Sequence, residues 1–98
     1  YVVDYPIATQ APGIEALAPL LREGRALIGA HLHPWVSPPH EEAVNARNSY
    51  PGNLPPGLER AKLARLQEAI TAAFGETPRI YKAGRYGIGP NSFAILEE

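Results

Sequence analysis

The chain has 98 residues, with nine Lys and Arg against ten Asp and Glu, a formal net charge of −1, and no cysteine. This length predicts a single domain, residues 1–98. The interspersed charges argue against a nucleic-acid partner, and the short, broken apolar runs argue against a membrane span. Without Cys there is neither a disulfide nor a thiolate metal site. Eleven prolines, about twice the average usage, indicate stiff loops.

The first third of the chain predicts a strand, a helix and a second strand. "YVVD", residues 1–4, is a short β-branched run that suits a buried strand. Apolar residues at helical spacing predict a helix over 11–24, with Gly24 at its C-terminal end and a kink at Pro19. "RALIGAHLH", residues 25–33, is almost continuously apolar, which is typical of a parallel strand covered on both faces.

A long loop follows, over residues 34–57, and it is rich in Pro, Gly and Asn. It is much longer than the usual connection of about 4–6 residues, and loops of this length are either functional or disordered. The aromatic residues Trp35 and Tyr50 inside it favour a packed, functional loop.

Helix, strand and helix signals return after the long loop. Residues 55–75 predict the clearest helix, which Gly75 ends. A short strand is expected within 78–84, and then a last helix whose N-cap is Asn91 or Ser92. The apolar stripe of the long helix is formed by Leu63, Leu66, Ile70 and Phe74, with Glu59, Lys62, Arg65 and Glu68 on its other faces.

The order β-α-β-loop-α-β-α predicts an α/β fold with a parallel sheet and right-handed connections. Three strands cannot close a barrel. The sequence opens directly on a strand and ends two turns into a helix. We therefore expect it to be one portion of a larger (β/α) barrel or open α/β sheet, and the domain to be incomplete.

The stretch "HLHPW" is the first candidate for chemistry. Residues two apart in a strand share a face, so His31 and His33 present two imidazoles at the C-terminal end of the second strand. Such pairs bind Zn²⁺ or a similar divalent ion. The alternative is two polar residues where the strand meets solvent. Asp4 ends the neighbouring strand and is a candidate third ligand or a solvated or capping carboxylate; His40 is expected to be exposed.

Other residues near the strand ends have the chemistry of a ligand site. Trp35 offers a flat apolar ring that can stack on a sugar or, alternatively, close the core beneath the loop. The third strand ends in cations within a glycine-rich turn, which can hold an anion or form a surface ion pair. The candidate substrate-binding residues are Trp35, Tyr50, Lys82, Arg85 and Tyr86.

Three segments, "YVVDYPIA", "REGRALIGAHLHPW" and "FGETPRIYKAGRYGIGPNSFAILEE", together with "NSYPGNLPP", cover nearly the whole chain. In their order and spacing they resemble the polysaccharide deacetylase superfamily, the NodB homology domain of carbohydrate esterases. The WalW-type members are the most similar.

The resemblance implies a fold, a cofactor and a substrate class. The fold is a distorted (β/α) barrel with parallel strands. The cofactor is a divalent metal, here expected to be Zn²⁺, held by one Asp and two His. The substrate is a carbohydrate, an acetylated poly- or oligosaccharide. Metal-activated water attacks the acetyl carbonyl of its N- or O-acetyl group, with an Asp as base and a His as acid.

The sequence departs from the family pattern at specific positions. His31 matches the first metal-binding histidine, but the usual second position, four residues on, is Trp35. His33 as second ligand is an inference from geometry. Lys82 stands where the family has an arginine, with Arg85 three residues later. The family's catalytic and metal-binding Asp residues would precede residue 1, and its late His would follow residue 98.

Two other functions fit the sequence. A catalytically silent carbohydrate-binding or structural domain would explain the altered histidine spacing and Lys82. An amidohydrolase-type metal hydrolase also uses His-x-His at a barrel strand end. That family places the motif in its first strand, whereas a β-α unit precedes it here. The bacterial cytoplasm and the cell envelope are both compatible with the sequence.

Overall fold

A computed structural model describes residues 1–24 and 27–97 of the chain. Within them three short strands, β1, β2 and β3, form one parallel sheet in the order β1-β2-β3. This confirms the predicted α/β class and parallel strands, and the sheet formed by the described residues is open. The strands are Val2–Val3, Gly29–Leu32 and Tyr81–Ala83. Arg25 and Ala26, predicted as the start of the second strand, lie outside the described residues.

The described residues form four α-helices: α1 Tyr5–Thr9, α2 Ala11–Arg22, α3 Pro56–Phe74 and α4 Pro90–Leu96. The sequence pattern did not anticipate α1, which begins where Asp4 caps its first turn. Pro19 lies inside α2, which continues to Arg22. None of the helices in the described part of the chain is long and apolar enough to cross a membrane.

The predicted glycine ends of α2 and α3 are confirmed. Gly24 and Gly75 have φ angles of +70° and +76°, in the left-handed region that lets a helix stop. The N-cap of α4 was predicted wrongly. It is Gly89, whose N–H donates to Ser92 Oγ at 3.0 Å, because Pro90 is well suited to the first helical position and the helix starts before Asn91.

One face of the sheet forms the core. Val3, Ala30 and Leu32 are buried there against Leu66 and Ile70 of α3. The alternate strand positions point away from this core. Among them Val2 and Ile80 are 37% and 55% exposed, and His31 is half-buried. The second strand is buried at Gly29, Ala30 and Leu32, and His31 is its one half-buried residue.

The long loop is fixed by a lysine of α3. Lys62 is 0% exposed, and its Nζ donates to the backbone oxygens of Pro34 at 3.1 Å, Ser37 at 2.5 Å and Pro39 at 2.8 Å. The same Nζ lies 3.1 Å from a carboxylate oxygen of Glu42. These contacts provide polar partners for the buried ammonium of Lys62 and for three loop carbonyls. The beginning of the loop is therefore packed against α3, which agrees with the prediction of a packed loop.

A second buried charged residue of α3 positions α4. Glu59 is buried, its carboxylate accepts a hydrogen bond from Ser92 Oγ, and burial raises the pKa of Glu59. The prediction that Glu59 lies on another face than the apolar stripe is wrong, because Glu59 is four residues before Leu63 and seven before Leu66 and is buried in line with them. Lys62 lies beside the stripe, and apolar periodicity gives no sign that the long loop covers it.

We expect Lys62→Met to lower the free energy of unfolding by about 3 kcal/mol, because it leaves Glu42 without its counter-charge and buried carbonyls without a donor. Urea denaturation followed by circular dichroism measures this. Arg65→Met, at an exposed position on the same helix, is the control and should stay within about 0.5 kcal/mol of wild type. Equal stability of the two variants would contradict the role of Lys62.

Candidate functional site

The two histidines meet at the C-terminal end of β2. His31 lies within the strand, and His33 follows it with extended backbone angles (φ −110°, ψ 110°), so the alternation continues past Leu32. The ring centroids of His31 and His33 are 4.3 Å apart, with their planes at 85°. The prediction that the two imidazoles lie on one face at the end of the central strand is confirmed.

The hydrogen bond of His31 fixes its tautomer. Its Nδ1 lies 2.9 Å from the backbone oxygen of Lys82 on β3. A carbonyl only accepts, so Nδ1 carries the proton and Nε2 keeps a free lone pair. Histidines that bind metals commonly donate their second ring N–H to a carbonyl in this way. His31 is thus oriented as a ligand would be.

His33 is held in a tighter environment. Its Nδ1 is buried without a hydrogen-bond partner, and a Cβ at Gly84 would lie 2.5 Å from it, so a side chain at position 84 would collide with the ring. Burial lowers the pKa of His33 below its ordinary value of 6.5, the charge that His31 carries when it is protonated and the charge of Lys82 lower it further, and Asp4 partly offsets them. His33 is therefore neutral at neutral pH, the form that binds a metal.

Asp4 lies at the end of β1, as predicted, and it raises the pKa of His33 across the strand ends. Its Oδ1 accepts the N–H of Ile7 at 3.2 Å, which makes it the N-cap of α1. In the described ranges, 1–24 and 27–97, no group of three or more His, Asp or Glu side chains is arranged to hold a metal. The candidate ligands among these residues are the two imidazoles of His31 and His33. His40 is exposed, as expected.

Trp35 lies directly beside the histidines. It belongs to a 3-10 turn, Pro34–Val36, and its ring centroid is 4.7 Å from that of His33. The Trp35 side chain is 40% exposed. This argues against the alternative that it closes the core, and it leaves ring surface available for stacking.

The other four candidate residues form two cation–π pairs. The Arg85 guanidinium lies 4.6 Å from the ring centroid of Tyr50 and donates to the Tyr50 hydroxyl at 2.9 Å. Lys82 Nζ lies 4.8 Å from the ring centroid of Tyr86, which is largely exposed. Among the residues that the structure describes, Arg85 therefore pairs with an aromatic ring rather than with a carboxylate.

A cavity of about 270 Å³ opens between Trp35 and Arg85. Its remaining wall is the middle of the long loop, a stretch that sequence reasoning did not single out by residue. The only signal for it was the unusual loop length. The cavity residues from this stretch are Glu42, Ala43, Val44, Asn45, Ala46, Asn48 and Ser49.

No family model, curated protein or solved structure matched this chain. Membership of the polysaccharide deacetylase superfamily therefore stays a prediction. The function is argued below from the geometry of the site.

We expect Asp4→Ala to lower the free energy of unfolding by about 1 kcal/mol, because it removes the cap of α1, and Asp4→Asn to cost much less, because Asn also caps. Chemical denaturation measures both. Gln10 precedes α2 without a capping side-chain bond, so Gln10→Ala is the control and should have little effect. A loss for Asp4→Asn as large as for Asp4→Ala would contradict the capping role.

We expect His33 to titrate below pH 6.5 in NMR spectra. Its pKa is lower in the folded than in the unfolded chain, so the folded chain binds fewer protons near this pH. The free energy of unfolding should therefore fall as the pH is lowered through 6.5. His33→Gln should reduce this fall, whereas the control His40→Gln at the exposed histidine should retain it. Titration of His33 at or above 6.5 would contradict the account.

Proposed function

We propose that this chain is part of a metal-dependent hydrolase, similar to polysaccharide deacetylases, that removes acetyl groups from an N- or O-acetylated sugar. The observation that carries the proposal is the histidine pair at the end of the central strand. His31 is oriented there by the Lys82 carbonyl, and the ring of His33 lies against it. Parallel α/β folds place their active sites at this end of the sheet.

The donor chemistry of the pair suits zinc. His31 has a free Nε2 lone pair, His33 is neutral at neutral pH, and imidazole nitrogen is a preferred ligand of Zn²⁺. Bound there, Zn²⁺ would supply a Lewis acid that polarises a carbonyl and acidifies water. His31 and His33 would hold the ion. Asp4 is a weak candidate for a third ligand or for the catalytic Asp that the resemblance implies, because it already caps α1.

Trp35 supports a carbohydrate substrate. Its exposed ring offers a flat apolar surface of the kind on which a sugar can stack, and this ring contacts His33. A sugar bound on Trp35 would therefore have its substituents close to the histidine pair. The cavity that Trp35 also lines gives room for a neighbouring sugar residue.

A second candidate is a carbohydrate-binding domain without catalysis. The observation that favours it is that the exposed Trp35 ring and the adjoining cavity need no metal to bind a sugar. The two candidates differ in what happens to a bound acetylated sugar. The hydrolase releases acetate from it, whereas the silent domain leaves it unchanged.

We expect His31→Ala and His33→Ala each to weaken Zn²⁺ binding at pH 7.5 by at least about 10–100-fold. Loss of a residue that only orients a metal ligand already costs this much, and loss of the ligand itself should cost no less. Competition with a chromophoric chelator measures the affinity. The matched control is His40→Ala, which removes the exposed third histidine and should leave the affinity unchanged. Zinc binding that survives both substitutions at β2 would exclude this metal site.

We expect the zinc-loaded full-length protein to release acetate from acetylated chito-oligosaccharides, and His31→Ala to abolish the release. An acetate assay coupled to NADH formation measures the rate. Binding of the oligosaccharide without acetate release, at saturating zinc, would contradict the hydrolase and support the silent domain.

A further inference from the structure

The cavity beside Trp35 combines apolar walls with a single cation from the described part of the chain. Ala43, Val44 and Ala46 line it together with Trp35, and Arg85 is the cationic residue of the lining. At about 270 Å³ it is smaller than the roughly 300–1,000 Å³ of sites for drug-sized ligands. This volume suits one sugar residue rather than an extended chain.

Arg85 is fixed in place at a cost. Its φ and ψ are 57° and 25°, and Tyr86 also has a positive φ of 55°, in a region that non-glycine residues rarely adopt. Such conformations are strained for non-glycine residues and tend to cluster at functional sites. The surrounding contacts enforce it here, including the bond and ring contact with Tyr50.

Close backbone packing brings Tyr50 to this position. The N–H of Gly52 donates to the oxygen of Gly87 at 2.6 Å, and a Cβ on Gly87 would collide with Tyr50. The end of the long loop and the turn after β3 therefore lie against each other. Arg85 is consequently preorganised, which reduces the entropy lost when its guanidinium binds a ligand.

The charge of Arg85 is not neutralised by a carboxylate of residues 1–24 or 27–97. Glu42 also lines the cavity, but its carboxylate lies 3.1 Å from Lys62 Nζ and is committed to that ion pair. The cavity therefore presents an unbalanced positive charge. A guanidinium fork binds a planar carboxylate through two parallel hydrogen bonds.

We propose that this cavity binds an acidic sugar residue, with its carboxylate on Arg85 and its ring against Trp35. The inference rests on the proposed function, because it makes the substrate an acetylated polysaccharide that also carries uronic acid residues. The acidic residue occupies the cavity, and its acetylated neighbour extends toward His33, whose ring contacts Trp35.

The test uses Trp35 as its own reporter, because it is the single tryptophan of the chain. Intrinsic fluorescence is titrated with a hyaluronan tetrasaccharide, in which N-acetylglucosamine alternates with glucuronate. The matched probe is the same tetrasaccharide with its carboxyl groups reduced to alcohols. Titrations are run with zinc and with a chelator, which separates sugar binding from the metal.

We expect the acidic tetrasaccharide to bind at least about tenfold more tightly than the reduced one, as a charge-assisted hydrogen bond allows, and this ratio to fall with added salt. Arg85→Gln should reduce the ratio to near one, and the control Arg65→Gln on exposed α3 surface should preserve it. Equal binding of the two probes by the wild-type chain would overturn the proposal, even if Arg85→Gln fails to fold. So would a ratio that Arg85→Gln leaves intact.

The result is separable from the proposed hydrolase function. Selective binding in the presence of chelator supports the acidic-sugar site whether or not zinc binds or acetate is released. Acetate release from neutral chito-oligosaccharides together with equal binding of both probes would support the hydrolase and reject the acidic-sugar site.

Discussion

The shape of the candidate site depends on the buried ammonium of Lys62. A charge removed from water is tolerated only when polar partners replace the lost solvation. Lys62 obtains these partners from the backbone oxygens of Pro34, Ser37 and Pro39 and from Glu42. The same contacts set the path of the chain directly after His33, because Pro34 begins the turn that carries Trp35. The buried contacts of Lys62 thereby place the Trp35 ring beside the two imidazoles.

The other half of the site is built from β3 and the turn behind it. The parallel register places Lys82 beside His31, so that its backbone oxygen fixes the imidazole tautomer. Gly84 allows the close approach of His33. The turn then directs Arg85 back to the long loop and Tyr50. Two segments far apart in sequence thus line one cavity, and Trp35, which also lines it, contacts His33.

The sequence was sufficient for features that depend on local periodicity. The period of two in a strand placed His31 and His33 together, and left-handed glycines ended α2 and α3 as predicted. The helix α1 was missed, although Asp4 followed by Pro in the first turn was a readable capping signal. Apolar periodicity could not reveal the burial of Lys62, because it does not report which distant loop covers a polar helix face. Nor could it reveal the left-handed backbone of Arg85, which tertiary contacts impose on a non-glycine residue.

The most direct test of the metal site is the ¹⁵N chemical shifts of the imidazole nitrogens, recorded at pH 7.5 before and after addition of Zn²⁺. The account predicts that His31 is protonated at Nδ1 in both spectra and that zinc shifts its Nε2, with a parallel change at one nitrogen of His33. His40 should be unaffected. A mixture of His31 tautomers that zinc leaves unchanged would contradict the account, because neither the Lys82 hydrogen bond nor the free Nε2 would then define the site.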